Sequence, residues 1–169
     1  LHPEFEYAAV ETPDHGVLIL ASELVDRCMS AFGITGHTVL KRFPGTLLEK
    51  RRFSHPLYDR ASTVVLGHHV TLEAGTGCVH TAPGHGHEDY IVGLEYGLDV
   101  YCPVDEKGRF TDDYPEMKGA NVFDANDPIV ELLKEKQVFI KSEKIDHTYP
   151  HSWRCKKPLI YRATEQWVL

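Results

Sequence analysis

The sequence predicts an α+β fold that is mainly β, a β-barrel-like domain with about three peripheral helices. Several short β-prone runs are separated by turn-forming residues, whereas only three stretches carry a helical pattern. The amino-acid sequence contains no internal repeat, and 169 residues are a usual length for one domain. We therefore expect a single domain over residues 1–169.

The predicted strands follow from alternating apolar residues and from the turns that flank them. Phe5, Tyr7 and Ala9 alternate as in a strand, and the turn residues 14–16 lead into an apolar run over 17–20. Together these features predict a β-hairpin. Further β-prone runs cover residues 37–43, 62–66, 78–81 and 138–141.

The helix predictions rest on start and stop signals. Ser22 can cap the first helix, and Gly33 ends it. Gly97 ends the second helix, and Asp127 before Pro128 is a start signal for the third. The predicted helices cover residues 23–32, 88–96 and 128–136.

The charge of the chain limits its partners. The net charge is −7 and the isoelectric point is about 5.9, whereas a protein that grips duplex nucleic acid usually has a basic face. General nucleic-acid binding is therefore excluded. Local basic clusters at 41–42, 50–52 and 154–157 could hold a few nucleotides of single strand, or they could be solvated surface charges.

The cysteines indicate a reducing compartment. Cys28, Cys78, Cys102 and Cys155 are dispersed and form no Cys-x-x-Cys pair, which argues against a disulfide scaffold and a zinc ribbon. No apolar run approaches the ~20 residues that a membrane span needs. We expect a cytoplasmic protein.

Residues 75–90 are the most informative stretch. A Gly-Thr-Gly turn, a short apolar run and a Pro-Gly bend alternate there with ionisable side chains. Glycines allow the backbone to approach a ligand closely. The ionisable groups could bind an ammonium, transfer a proton or ligate a metal, and they are His80, His85, His87, Glu88 and Asp89.

This stretch resembles the editing (CP1) domain of bacterial isoleucyl-tRNA synthetases, a family of class I aminoacyl-tRNA synthetases. The run over residues 80–86, His-Thr-Ala-Pro-Gly-His-Gly, favours the isoleucyl branch over the valyl and leucyl branches. The likeness covers nearly the whole chain. Its motifs are residues 75–77, 79–86, 89–90, 119–127, 149–154 and 162–167.

The resemblance implies a proofreading hydrolase. This enzyme family is the standard example of a limit on substrate discrimination. Isoleucine and valine differ by one methylene, which contributes only about 1–3 kcal/mol to selective binding. A second site therefore hydrolyses mischarged valyl-tRNA(Ile), with valyl-adenylate as a further candidate, by water attack on the aminoacyl ester. The parent enzyme ligates isoleucine to tRNA(Ile). The implied partners are the valine-bearing 3′ end of tRNA(Ile) and the rest of the synthetase; ATP and Mg²⁺ serve its synthetic domain, and editing needs no cofactor or metal.

The resemblance also assigns roles to two candidate catalytic residues. Asp89 would bind the α-ammonium of the substrate, and a helix start would keep its carboxylate ionised; the alternative is that it only stabilises the helix. His80 would limit side-chain size and orient a water, while its role as a general base stays open. The substrate-binding residues are Gly75, Thr76, Gly77, Val79, Thr81, Pro83, Gly84, His85, Gly86 and Asp89.

Several alternatives remain open. His85 could hydrogen-bond its own loop or contact the terminal adenosine. A cluster of His80, His85 and His87 could serve a metal-dependent hydrolase. Residues 149–157 mix aromatic and basic side chains, which fits either a non-catalytic tRNA-binding module or a packed β-hairpin.

The resemblance further implies a threonine-rich strand directly before Leu1 in a larger synthetase. Its hydroxyls would position the substrate and the water. We therefore expect the 169-residue piece to be weakly active or inactive as a hydrolase on its own.

Overall fold

The computed structural model describes residues 1–144 and 148–165, which belong to two compact units. The first unit is Leu1–His80 and the second begins at Thr81. The first contains β1 (Glu6–Thr12), β2 (Gly16–Ala21), α1 (Val25–Phe32), β3 (Thr38–Pro44), β4 (Arg52–Ser54) and β5 (Ala61–Thr63). The second contains α2 (His87–Tyr96) and α3 (Asn126–Glu135).

The first unit is built on a three-stranded antiparallel sheet with the order β2-β1-β3. The predicted hairpin is confirmed, because β1 pairs with β2 from Tyr7↔Ala21 to Thr12↔Gly16. Apolar residues of the sheet and of α1 bury one another and form the core of this unit. That core consists of Tyr7, Ala8, Val10, Leu20, Ala21, Leu24, Val25, Cys28, Met29 and Phe43.

The end of α1 agrees with the prediction and its beginning does not. Gly33 has φ 72° and donates its backbone N–H to carbonyls of the last helical turn, as expected for a helix stop. The prediction that Ser22 caps the helix is wrong. A 3₁₀ turn over Ser22–Leu24 comes first, so the N-cap position falls on Leu24 and no side chain caps it.

A second, two-stranded sheet pairs β4 with β5. The predicted strand over 62–66 is confirmed only in part, since β5 ends at Thr63. Strand β4 was not predicted because its Arg-Phe-Ser sequence is exposed at every position and has no apolar alternation. Backbone pairing with β5, from Arg52↔Thr63 to Ser54↔Ala61, defines this strand.

Two predicted strands are wrong. Residues 78–81 form no strand. The turn before them is held by the Tyr7 and Thr76 hydroxyls and by one backbone bond from Ala21, not by a ladder. Residues 138–141 also form none. Gln137 has φ 58°, and Val138 donates its N–H to the Leu133 carbonyl, so this backbone closes the end of α3 as a Schellman motif.

Both predicted helices of the second unit are confirmed. Helix α2 ends at Gly97, which has φ 64°. Helix α3 begins at Asn126, so Pro128 is its third residue. Proline is tolerated there because N–H groups in the first turn have no partner within the helix.

The predicted α+β class, mainly β with three α-helices, is confirmed. In the described part of the chain neither sheet closes into a barrel. None of the helices in the described residues has the length and apolar character of a membrane span. The prediction of a single domain stays a prediction.

Candidate functional site

The Gly-Thr-Gly turn is fastened to the core of the first unit. Gly75 and Gly77 have φ values of 71° and 76°, which favour glycine. The Ala21 N–H donates to the Thr76 carbonyl at 2.9 Å, and the Tyr7 hydroxyl donates to the Gly77 carbonyl at 2.8 Å. A Cβ atom at Gly77 would collide with Cβ of Ala21. The turn therefore packs directly against the end of β2.

The polar groups of this turn are largely used within the unit. The Thr76 hydroxyl accepts the Cys78 N–H and donates to the Cys78 carbonyl, both at 3.2 Å. The Arg27 guanidinium donates to the carbonyls of Glu73 at 3.0 Å and of Gly75 at 3.5 Å. These bonds tie the turn to α1 as well as to the sheet.

Val79 and His80 follow the turn and are both exposed. His55, in the β4–β5 connection, is close enough to His80 for their charges to interact. The pKa of His55 is lowered by burial first, then by the positive charges of Arg60 and His80.

His55 was not among the candidates that the sequence indicated. Its Nδ1 accepts the N–H groups of Leu57 at 3.1 Å and Tyr58 at 3.0 Å, which requires a lone pair on that nitrogen. The imidazole is therefore neutral, with its proton on Nε2. The signal in the sequence is a histidine before Pro56 at the start of a hairpin loop.

Cys78 lies two residues before His80 but is not an activated nucleophile. The residue as a whole is exposed, whereas its sulfur lies 3.4 Å from the Ile19 carbonyl oxygen. Loss of solvent around the thiol raises its pKa, which lowers the thiolate fraction at neutral pH.

In the second unit, the Pro83-Gly84 bend is enclosed by its neighbours. Gly84 is buried, and a Cβ atom there would collide with the Tyr101 carbonyl oxygen. The Gly84 carbonyl accepts the Ala163 N–H at 2.7 Å. A Cβ atom at Gly93 of α2 would lie 2.7 Å from Pro83 Cγ, so the absence of a side chain at Gly93 allows the bend to pack on the helix.

Asp89 lies in the first turn of α2, as the sequence predicts, and is half-buried. Its Oδ2 accepts the Ala82 N–H at 3.2 Å. A Cβ atom at Gly86 would lie 2.9 Å from the same oxygen. The carboxylate therefore leans back over the bend and also stabilises it.

The His85 ring is hydrogen-bonded to a carbonyl that is distant in the chain, so both alternatives, a bond within its own loop and contact with the terminal adenosine, stay predictions. Its Nδ1 lies 2.9 Å from the Tyr161 carbonyl oxygen, so Nδ1 carries the proton and donates. His87 and Glu88 are exposed. Taking each unit by itself, the described residues contain no group of three metal-ligating side chains.

The aromatic and basic segment, residues 149–157, forms hydrogen bonds within itself and with the residues that follow it. Ser152 and Lys157 are linked by a backbone hydrogen bond of 2.9 Å, and His151 forms a β-bridge with Pro158. Trp153 is 78% exposed, and the Arg154 guanidinium lies 5.2 Å from its ring centroid. Residues 166 and 167 of the last motif lie outside the described residues.

Known proteins resemble this chain along its whole length. It is 54% identical to the isoleucine–tRNA ligase of Desulfovibrio desulfuricans over 169 residues and 51% identical to that of Geobacter sulfurreducens over the same length. The Erwinia tasmaniensis isoleucine–tRNA ligase is 52% identical over 170 residues. The chain is homologous to isoleucine–tRNA ligases. No protein-family model matches it.

The predicted resemblance to isoleucine–tRNA ligases is thereby confirmed. The chain spans 18% of the length of each of these ligases, and 100% of the chain takes part in each match. Both compact units are therefore included in the similarity.

Proposed function

We propose that this chain is the proofreading domain of an isoleucine–tRNA ligase and hydrolyses valyl-tRNA(Ile) by water attack on the aminoacyl ester. The observation that carries the proposal is Asp89, a half-buried carboxylate in the first turn of α2 beside a glycine-rich bend. The similarity to isoleucine–tRNA ligases over the full length of the chain supports the same proposal.

Asp89 suits the recognition of an α-ammonium. An ionised carboxylate is acceptor-only, and a bond to an ammonium is charge-assisted. The first turn of a helix is a favourable position for a negatively charged side chain. The substrate amine would bind this carboxylate, while Ala82 N–H keeps one oxygen oriented.

His80 suits the orientation of water. It is exposed, and it follows a turn that is bonded to the core, so its backbone is held while its imidazole reaches solvent. An imidazole near the ester can accept a proton or hold a water for attack. The remaining substrate-binding residues would contact the aminoacyl end of the substrate, and they are 75–77, 79, 81 and 83–86.

The other components of the proposal concern the parent enzyme. ATP and Mg²⁺ would serve ligation of isoleucine to tRNA(Ile), and editing would need no metal or cofactor. The partners would be the 3′ end of tRNA(Ile) carrying valine and the rest of the ligase. The dispersed cysteines favour a cytoplasmic location.

The test compares three variants of the full-length ligase. Asp89→Ala removes both the charge and the acceptor, Asp89→Asn removes the charge but keeps an acceptor for Ala82 N–H, and Glu88→Ala is the control from the same helical turn. We expect both Asp89 variants to slow deacylation of valyl-tRNA(Ile) by about 10- to 150-fold, which corresponds to the ~1.5–3 kcal/mol of a lost hydrogen bond to a charged group. The control should keep the wild-type rate.

Ligation of isoleucine and affinity for tRNA are measured in parallel, and both should be unchanged. Suppose that Asp89→Asn deacylates valyl-tRNA(Ile) at the wild-type rate whereas Asp89→Ala is slow. Asp89 would then act only as an acceptor that stabilises the Pro83-Gly84 bend, which contradicts the proposal. Loss of tRNA binding alone would favour the second candidate function, a non-catalytic tRNA-binding module. That candidate is supported by the exposed Trp153 beside Arg154.

A further inference from the structure

Tyr7 is a buried polar residue at the centre of the first unit. It is 0% exposed in strand β1. Its hydroxyl accepts the His2 N–H at 2.8 Å and donates to the Gly77 carbonyl at 2.8 Å. Loss of solvent around this hydroxyl raises its pKa, so it remains a donor throughout the physiological range.

The bond to Gly77 joins residues that are 70 positions apart in the chain. It is a buried bond, whereas the bonds of Thr76 and Cys78 within the same turn are exposed. Water competes poorly with a buried hydrogen bond, and a buried carbonyl that loses its partner carries the full cost of desolvation. The Tyr7 hydroxyl is therefore a strong anchor for this turn.

The anchor acts on a backbone that has little room to adjust. Gly77 is in contact with Ala21 and has φ 76°, and the Ala21 N–H holds the adjacent Thr76 carbonyl. His80 follows three residues later, outside any strand. No strand ladder supports residues 78–80, so the direction in which the chain leaves the turn is set by the Gly77 anchor together with the Thr76–Cys78 bonds and the contact of the Cys78 sulfur with the Ile19 carbonyl.

We propose that Tyr7 is a positioning residue for His80 and acts through the Gly77 carbonyl. This inference rests on the proposed function, in which His80 contacts the substrate ester or the attacking water. Tyr7 itself touches neither. Its contribution is the orientation of the imidazole at the moment of attack.

The experiment is a double-mutant cycle in the full-length ligase. Tyr7→Phe removes the hydroxyl and keeps the ring, His80→Ala removes the imidazole, and the double variant combines them. Val10→Ala is the control, because Val10 lies in the same strand, is equally 0% exposed and belongs to the same core without bonding the turn. Deacylation of valyl-tRNA(Ile) and ligation of isoleucine are measured for each.

We expect Tyr7→Phe to slow deacylation by about tenfold through kcat, with KM nearly constant. Val10→Ala should change the rate of deacylation by less than about twofold, and both Tyr7→Phe and Val10→Ala should ligate isoleucine at the wild-type rate. In the His80→Ala background, Tyr7→Phe should have almost no further effect, because the imidazole that it positions is absent.

The outcomes separate the two proposals. If His80→Ala slows deacylation but Tyr7→Phe is additive with it, or is no slower than Val10→Ala, the positioning role is overturned and the proposed function stands. If His80→Ala deacylates at the wild-type rate, the role of His80 fails and the inference fails with it. Backbone hydrogen exchange at residues 78–80, faster in Tyr7→Phe than in Val10→Ala, is the expected structural signature.

Discussion

The two glycines of the Gly-Thr-Gly turn provide a matched pair for testing how this turn is held. Both have positive φ, 71° at Gly75 and 76° at Gly77, so alanine at either position meets the same backbone strain of about 1–2 kcal/mol. Their surroundings differ. A Cβ atom at Gly75 would meet nothing within 4 Å, whereas at Gly77 it would collide with Ala21 Cβ and lie 3.4 Å from Ala21 N.

Overpacking of a well-packed site adds about 1–3 kcal/mol to the strain. We therefore expect Gly75→Ala to lower the unfolding free energy of the first unit by about 1–2 kcal/mol and Gly77→Ala by about 2–5 kcal/mol. Denaturant unfolding of the 169-residue chain, combined with hydrogen exchange of the β1 amides, measures the difference.

A rescue variant shows whether contact is the cause. Ala21→Gly removes the Cβ atom with which the new side chain of Gly77→Ala would collide. After the destabilisation by Ala21→Gly alone is subtracted, the double variant should lose little more unfolding free energy than Gly75→Ala does. Equal destabilisation by Gly75→Ala and Gly77→Ala, or a double variant without any recovery, would refute the reasoning.

Two further predictions concern His55 and Gly86. Because the pKa of His55 is lowered below its ordinary 6.5, the folded chain binds a proton less readily than the unfolded chain, and the unfolding free energy should fall as pH drops through and below that value. His55→Asn, which still offers an acceptor to the N–H groups of Leu57 and Tyr58 without titrating, should flatten this dependence from about pH 8 to about pH 5; an unchanged slope contradicts the assignment. Gly86→Ala should displace the Asp89 carboxylate and slow deacylation by the full-length ligase with little change in the stability of α2, and a wild-type rate would show that the carboxylate position is not critical.

Local signals explain which parts of the fold were predictable. The β1–β2 hairpin follows from alternation and a turn, and Gly33 and Gly97 end their helices because a left-handed residue needs no distant partner. The ionisable residues at positions 80, 85, 87, 88 and 89 were also visible in the sequence as a group. Their chemistry is a property of residue type, so a pattern is sufficient to identify them as candidates.

Distant contacts decided the rest. The run 78–81 has β propensity, but the turn before it is bonded to Tyr7, 70 residues away, and forms no ladder. His85 is bonded to a carbonyl 76 residues further along the chain, and His55 lies in the connection of a hairpin that has no apolar pattern. Sequence by itself determined the composition of the candidate site and the short-range geometry of its turns. Only the tertiary structure decided which buried carbonyls and N–H groups those turns satisfy, because a hydrogen-bond partner is selected by proximity in space and not by position in the chain.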